Sequence, residues 1–222
     1  MLAAFLIWAL PLRSVTDMVD FMERMGSAVC HQMAERSFIL EGMQMPLCAR
    51  CTGIYIGVFF AFFFFFLKKR LQAGKPFSMQ QAVLTSLAIV PIGVDGVGSY
   101  LGFWESSQLM RILTGSLVGA IVPGFLLMAG NFDPQIDNEE RIYHHTKELL
   151  FLILLSVVFG LLLWAEFPLY RLGSVISVAG EVVLWGGVVW LFLKTICKGK
   201  SLWVISIFIS FIVLFAVGGL VS

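Results

Sequence analysis

Charge is what this sequence has least of. Lysine and arginine supply 15 of its 222 residues and aspartate and glutamate 14, while 59% are hydrophobic. One soluble core of that size cannot bury so much apolar surface, so the bilayer must act as solvent. With a formal net charge of +1 and no basic block standing apart from the apolar stretches, the electrostatic footprint of a nucleic-acid binder is missing. Lys and Arg are also absent before the first apolar stretch, residues 1–12, and no small-residue cleavage pattern follows it. A conventional signal peptide is therefore a poor fit. Twelve helical residues reach only ~18 Å, short of the ~30 Å hydrocarbon core. The expectation is a short N-terminal apolar helix, half-inserted or interfacial, or the remainder of a truncated span. Internal repeats and low-complexity linkers are lacking too, apart from the run Phe62 to Phe66, which reads as lipid-facing or packing bulk.

What is present is a series of six longer apolar stretches, at roughly Thr52 to Leu67, Gln80 to Leu101, Ser107 to Gly130, Lys147 to Ala165, Leu172 to Leu193 and Leu202 to Val221. Each is near spanning length. All must be helical, because lipid offers backbone groups no other partner. The expected fold is therefore all-α: a polytopic transmembrane helix bundle of six spans, plus the short N-terminal apolar helix and an interfacial helix. Alternation places Lys68, Lys69, Arg70, Lys75, Arg141, Lys147, Lys194, Lys198 and Lys200 on one side. Arg13, Arg24, Arg36, Arg50, Arg111 and Arg171 fall on the other. The positive-inside rule makes the first side cytoplasmic, in a cell membrane, and the segment from Arg13 to Cys51 extracytoplasmic.

That segment divides the chain into residues 1–51, an N-terminal apolar and interfacial part, and 52–222, the six-span part. Thr16 can cap a helix in which Met18, Phe21, Met22 and Met25 follow i, i+3, i+4, i+7 spacing. Three of the four cysteines follow, in Cys30-His31 and in Pro46-Leu47-Cys48-Ala49-Arg50-Cys51. The two-residue gap lets Cys48 and Cys51 bite one metal ion or close one disulfide. Glu41-Gly42 and Pro46 supply a turn that folds Cys30 or His31 back onto the pair. Adjacent helical residues point about 100° apart, so Cys30 and His31 share one ion only if the helix has ended before them. Zinc on Cys30, His31, Cys48 and Cys51 is one reading, and a three-cysteine site with an open position is another. Redox chemistry is the rival. A CxxC at a helix N-terminus with Arg50 between its thiols favours thiolate, and an extracytoplasmic location is oxidising.

Charges inside the spans point to the same slice of the membrane. Asp95 lies about six residues from the outer end of its span, Arg111 about four into the next and Tyr55 about four into the first, by helical count. Interior charges usually face a partner or a cavity. The simplest reading is an Asp95 to Arg111 ion pair, and the functional one is a wall of the cysteine site, with Arg36, Arg50 and Arg111 holding a phosphate or carboxylate. Gly53-Ile54-Tyr55-Ile56-Gly57 and Gly115-Ser116-Leu117-Val118-Gly119 are both GxxxG and permit close helix approach. Glu181 sits near the middle of the fifth span, either as a proton or ion station or as a protonated structural acid. Cys197 stands alone on the inner side and reads as inert.

At Cys30-His31-Gln32, Arg36-Ser37-Phe38 and the run from Pro46 to Gly57, the sequence closely resembles the bacterial and archaeal predicted membrane proteins called domain of unknown function 2085. The likeness extends more loosely to Asp95 and to Arg111 with Thr114-Gly115. It implies a multi-pass prokaryotic membrane protein and carries no activity. Three functions stay open. One is a metal-dependent membrane enzyme, with zinc as cofactor, Asp95 and Tyr55 as catalytic groups, and the arginines on an anionic or lipid-linked substrate. The second is a thiol-disulfide oxidoreductase linked to a quinone. The third is a transporter using Asp95 and Glu181.

Overall fold

A computed structural model describes residues 15–135, 137–197 and 202–221. The N-terminal apolar stretch at residues 1–12, Arg13, Lys198 and Lys200 lie outside the described residues, as do the side chains of Thr16 and Cys197. In chain order the elements are α1 (Val15–Ser27), a 3-10 turn (Ala34–Arg36), β1 (Ser37–Leu40), β2 (Met43–Cys48), α2 (Ala49–Leu67), α3 (Met79–Tyr100), α4 (Gln108–Asn131), α5 (Thr146–Trp164), α6 (Tyr170–Cys197) and α7 (Trp203–Val221). Six of these helices, α2 to α7, are long and apolar enough to cross a membrane. They correspond to the six expected stretches within a few residues, and the chain is a multi-pass membrane protein.

Asp17 in the first turn of α1 and Arg24 in the last complement the helix dipole. Its apolar stripe does more than lie on lipid. Met25 and Met22 are buried against Val178 of α6 and Leu214 of α7, Phe21 stacks 5.9 Å from Phe215, and the Arg24 guanidinium sits 4.3 Å over the Phe215 ring. This fastens the N-terminal segment to one end of the bundle, the end where α3, α5 and α7 finish. The all-α bundle is as expected, with one small addition before it, a two-stranded antiparallel hairpin of β1 with β2. Its turn is at Glu41 and Gly42, both with positive φ (53° and 78°), the pairing that two-residue hairpin loops favour. Pro46 lies inside β2 and not in a turn, which a strand with a free edge tolerates.

Lipid tails are as apolar as leucine side chains, so burying apolar surface between spans gains little, and close backbone packing must hold the bundle. The central contact is between α2 and α4. A Cβ added at Gly119 would strike the Ile54 carbonyl, and one at Gly115 the Arg50 carbonyl. The two GxxxG motifs thus interlock, and they set the N-terminus of α2 beside that of α4. The phenylalanine run divides by helical period: Phe62 and Phe65 are buried, whereas Phe63 and Phe66 are exposed. At the opposite end of the bundle, Arg70 makes a two-pronged pair with Glu148 (2.7 and 3.1 Å), and Lys194 donates to Asn131 at 2.7 Å. The helix α3 is the least enclosed of the six.

Candidate metal centre

The three cysteines meet because three local features hold them. Helix α1 ends at Ser27, so Cys30 and His31 are not helical neighbours competing for one direction. Gln32, at φ 49°, donates its side-chain amide to the carbonyls of Glu23 (2.6 Å) and Pro46 (2.8 Å). Its own carbonyl accepts from the Gln44 side chain at 2.7 Å. Gly26 allows this closeness, since a Cβ there would strike the Pro46 carbonyl. Together they press the Cys30 loop onto β2, which delivers Cys48. Cys48 is the extended N-cap residue of α2, and the helix begins at Ala49, three residues earlier than expected, so Cys51 lies within its first turn. The sulfurs of Cys30, Cys48 and Cys51 all lie within 4.8 Å of one another.

Charge on this triad is uneven. Hydrogen bonds from the Cys30 and Cys51 thiols pull Cys48 down to about 2, and the same contact with Cys48 pushes Cys30 up. The Cys48 backbone N–H also donates to the Cys30 sulfur at 3.3 Å, a bond that favours sulfur carrying negative charge. Such a group has the donor set and spacing of a thiolate metal site. His31 is exposed and stands outside the sulfur triad. It lines, with the three cysteines, a cavity of about 290 Å³.

The other wall of that cavity is basic. Arg36, Arg50 and Arg111 all line it, and all three also line an adjoining cavity of about 380 Å³ with Gly96, Ser99 and Tyr100. The expected Asp95 to Arg111 pair is corrected: Asp95, 4% exposed, is paired with Arg50. Helical depth sets which residues share a level but not which way they face, and the start of α2 at Ala49 turns Arg50 toward α3. Arg111 instead donates its Nε to the Ser106 carbonyl (3.1 Å), while the Ser106 hydroxyl donates to Asp95 (2.9 Å). Ser106 therefore links the two charged residues, a role that no spacing in the sequence signals. The Nε of Arg50 is buried with no partner among the described residues.

Tyr55 is brought to the site but from behind, buried with Cys30 and Leu47 in a small cluster that Cys48 and Cys51 flank. Glu181 is fully buried, and both its carboxylate oxygens lack a partner among the described residues. Its neighbour Gly180 packs against the Tyr55 carbonyl. The two acids proposed for transport thus sit in different settings: Asp95 is engaged by Arg50 and Ser106, and Glu181 is sealed beside α2.

Comparison with known proteins bears on the same region. Residues 30–125 match the family described as predicted membrane protein, domain of unknown function 2085. An uncharacterised protein of Methanocaldococcus jannaschii is 36% identical over 101 residues, 46% of this chain and 63% of that protein. An uncharacterised protein of Methanothermobacter thermautotrophicus is 34% identical over 91 residues, 41% of this chain and 78% of that protein. The chain thus spans less than two thirds of the first relative. No solved structure matches it. The matched segment opens on Cys30 and contains every residue of the triad and of the arginine wall, and the chain belongs to the domain of unknown function 2085 family of predicted membrane proteins.

Proposed function

We propose that this chain is a prokaryotic cell-membrane protein carrying a zinc centre on its extracytoplasmic face, and that it acts there as a metal-dependent enzyme on an anionic or lipid-linked substrate. The observation that carries the reading is the juxtaposition of three sulfurs within 4.8 Å with a cavity walled by three arginines. Cys30, Cys48 and Cys51 would hold the ion, leaving a fourth position toward the cavity for water or substrate, the arrangement of catalytic rather than closed structural zinc. When bound, the metal supplies Lewis acidity and an activated water. Arg36 and Arg111 bind the substrate's charge, and Asp95 orients Arg50. Tyr55 supports the thiols from the bundle side. The nine lysines and arginines of the opposite loops support the extracytoplasmic placement.

Cobalt(II) substitution tests the centre. The purified chain is expected to show sulfur-to-cobalt charge-transfer absorption that disappears in Cys30→Ser, Cys48→Ser and Cys51→Ser. A chain that takes up cobalt without that absorption does not use its thiols, and the reading fails.

One observation favours a second reading. Cys48, the residue held down to about 2 by its neighbouring thiols, stands at the N-cap of α2, the setting of a reactive thiolate in a CxxC motif. A thiol-disulfide oxidoreductase passing two electrons to a quinone would carry a Cys48 to Cys51 disulfide for part of its cycle in the cell. Alkylation of intact cells before lysis, followed by mass analysis, detects that bond. Thiols that stay permanently reduced rule this reading out.

A further inference from the structure

We infer that the arginine-walled cavity is a binding site for a phosphate monoester, a tetrahedral dianion seated between Arg36, Arg50 and Arg111. The inference deepens the reading just given, resting on the same site's basic wall and not on its metal. Three observations support it. First, the three guanidinium groups come from three elements, the 3-10 turn, α2 and α4, yet line the same two adjoining cavities. A carboxylate presents two coplanar oxygens and is satisfied by one arginine fork, whereas a phosphate presents three oxygens in three directions. Second, two of the guanidinium groups are weakly engaged by acids. Asp95 pairs with Arg50, whereas the exposed Glu35 comes no closer than 4.0 Å to Arg36 and Arg111 has no ion pair among the described residues, so both can meet an anion. Third, hydrogen-bonding capacity is left over. Among the described residues the one hydrogen bond of the Arg111 guanidinium is that from its Nε to Ser106, which leaves its two terminal nitrogens as donors. An anion in the cavity supplies charge-assisted acceptors for them.

The ester could be a phospholipid-type headgroup or a water-soluble compound. Tyr100 at the end of α3 lines the outer cavity and is almost wholly exposed, so the site can be reached from the membrane interface as well as from water. Calorimetric titration of the full chain with inorganic phosphate, both zinc-loaded and after chelation, separates this inference from the metal reading. Phosphate is expected to bind in both states, acetate at the same concentration is not, and Arg36→Gln and Arg111→Gln are each expected to weaken phosphate binding by at least about tenfold, equivalent to ~1.4 kcal/mol. Arg36 is half exposed, so its variant should fold even if that of Arg111 does not. Binding to nanodiscs containing phosphatidic acid that inorganic phosphate competes away identifies the lipid source, and binding of inorganic phosphate with no such competition identifies the soluble one. No phosphate binding, equal binding of acetate, or undiminished binding in Arg36→Gln would overturn the inference. Phosphate binding by a chain that never holds zinc would support it while removing the metal reading.

Discussion

Replacing Asp95 should separate stability from ligand affinity. Its carboxylate is 4% exposed and holds both the Arg50 guanidinium and the Ser106 hydroxyl, tying α3 to α2 and to the start of α4. Breaking a buried pair by removing one partner costs about 3–5 kcal/mol. Arg50 is 24% exposed beside a cavity and can be partly resolvated, so the lower end, about 3 kcal/mol, applies to Asp95→Ala. Asn keeps an acceptor and loses only the charge, for a cost of about 1.5–2 kcal/mol. At roughly 2–4 °C per kcal/mol for a chain of this length, the melting temperature falls by about 6–12 °C for Ala and 3–8 °C for Asn. Both variants also release Arg50 into the cavity, so phosphate affinity should rise, most clearly at low salt, where the added charge is least screened. Thermal unfolding in detergent, followed by fluorescence of the six tryptophans, with phosphate titration in parallel, reads both effects. A melting temperature for Asp95→Ala within about 1 °C of wild type, or a fall in phosphate affinity with the fold intact, would refute the assignment of Asp95 as the partner of Arg50.

Three further outcomes are expected. Gly119→Leu should prevent the α2–α4 approach and cost at least about 3 kcal/mol, whereas Gly93→Leu, at a position with open space around its Cβ, should leave expression and melting within experimental scatter. Glu181→Leu should raise the melting temperature, because an unpartnered buried carboxyl gives way to an apolar group of similar size, a gain of ~1–3 kcal/mol; a lower melting temperature would mean that Glu181 has a partner. Helix α7 runs toward the thiol end of the bundle, so alkaline phosphatase fused after residue 222 should be active and a fused green fluorescent protein dark, and the reverse pattern would place the thiols in the cytoplasm.

Hydropathy alone marked the six spans, since each needs about 20 apolar residues and little else in the chain offers that. CxxC spacing marked Cys48 and Cys51 as a pair, but whether Cys30 or His31 joins them stayed open, because that depends on where α1 ends and how the loop after it turns. The hairpin escaped because β1 has only four residues, Ser37–Leu40, too short a run for alternation to register. Gln32 was visible as part of a motif, but its work as a clamp depends on backbone carbonyls that the sequence does not position. Arg50 was read as a neighbour favouring thiolate, and its engagement of Asp95 depends on where α2 begins. Counting residues down each span put Asp95 and Arg111 near enough to share Ser106, but with α2 starting at Ala49, Tyr55 lies further along its helix, against Gly180 beside Glu181. The count could not show that Tyr55 stands behind the thiols while Arg111 stands before them, because depth fixes rise along a helix and not rotation about it.

The central claim is that Cys30, Cys48 and Cys51 form a metal site, and elemental analysis of the chain purified without added metal or chelator tests it most directly. The account predicts close to one zinc per chain, lost in each of Cys30→Ser, Cys48→Ser and Cys51→Ser and retained in Cys197→Ser. A wild-type chain that is folded and free of zinc, with Cys48 joined to Cys51 by a disulfide, would contradict it.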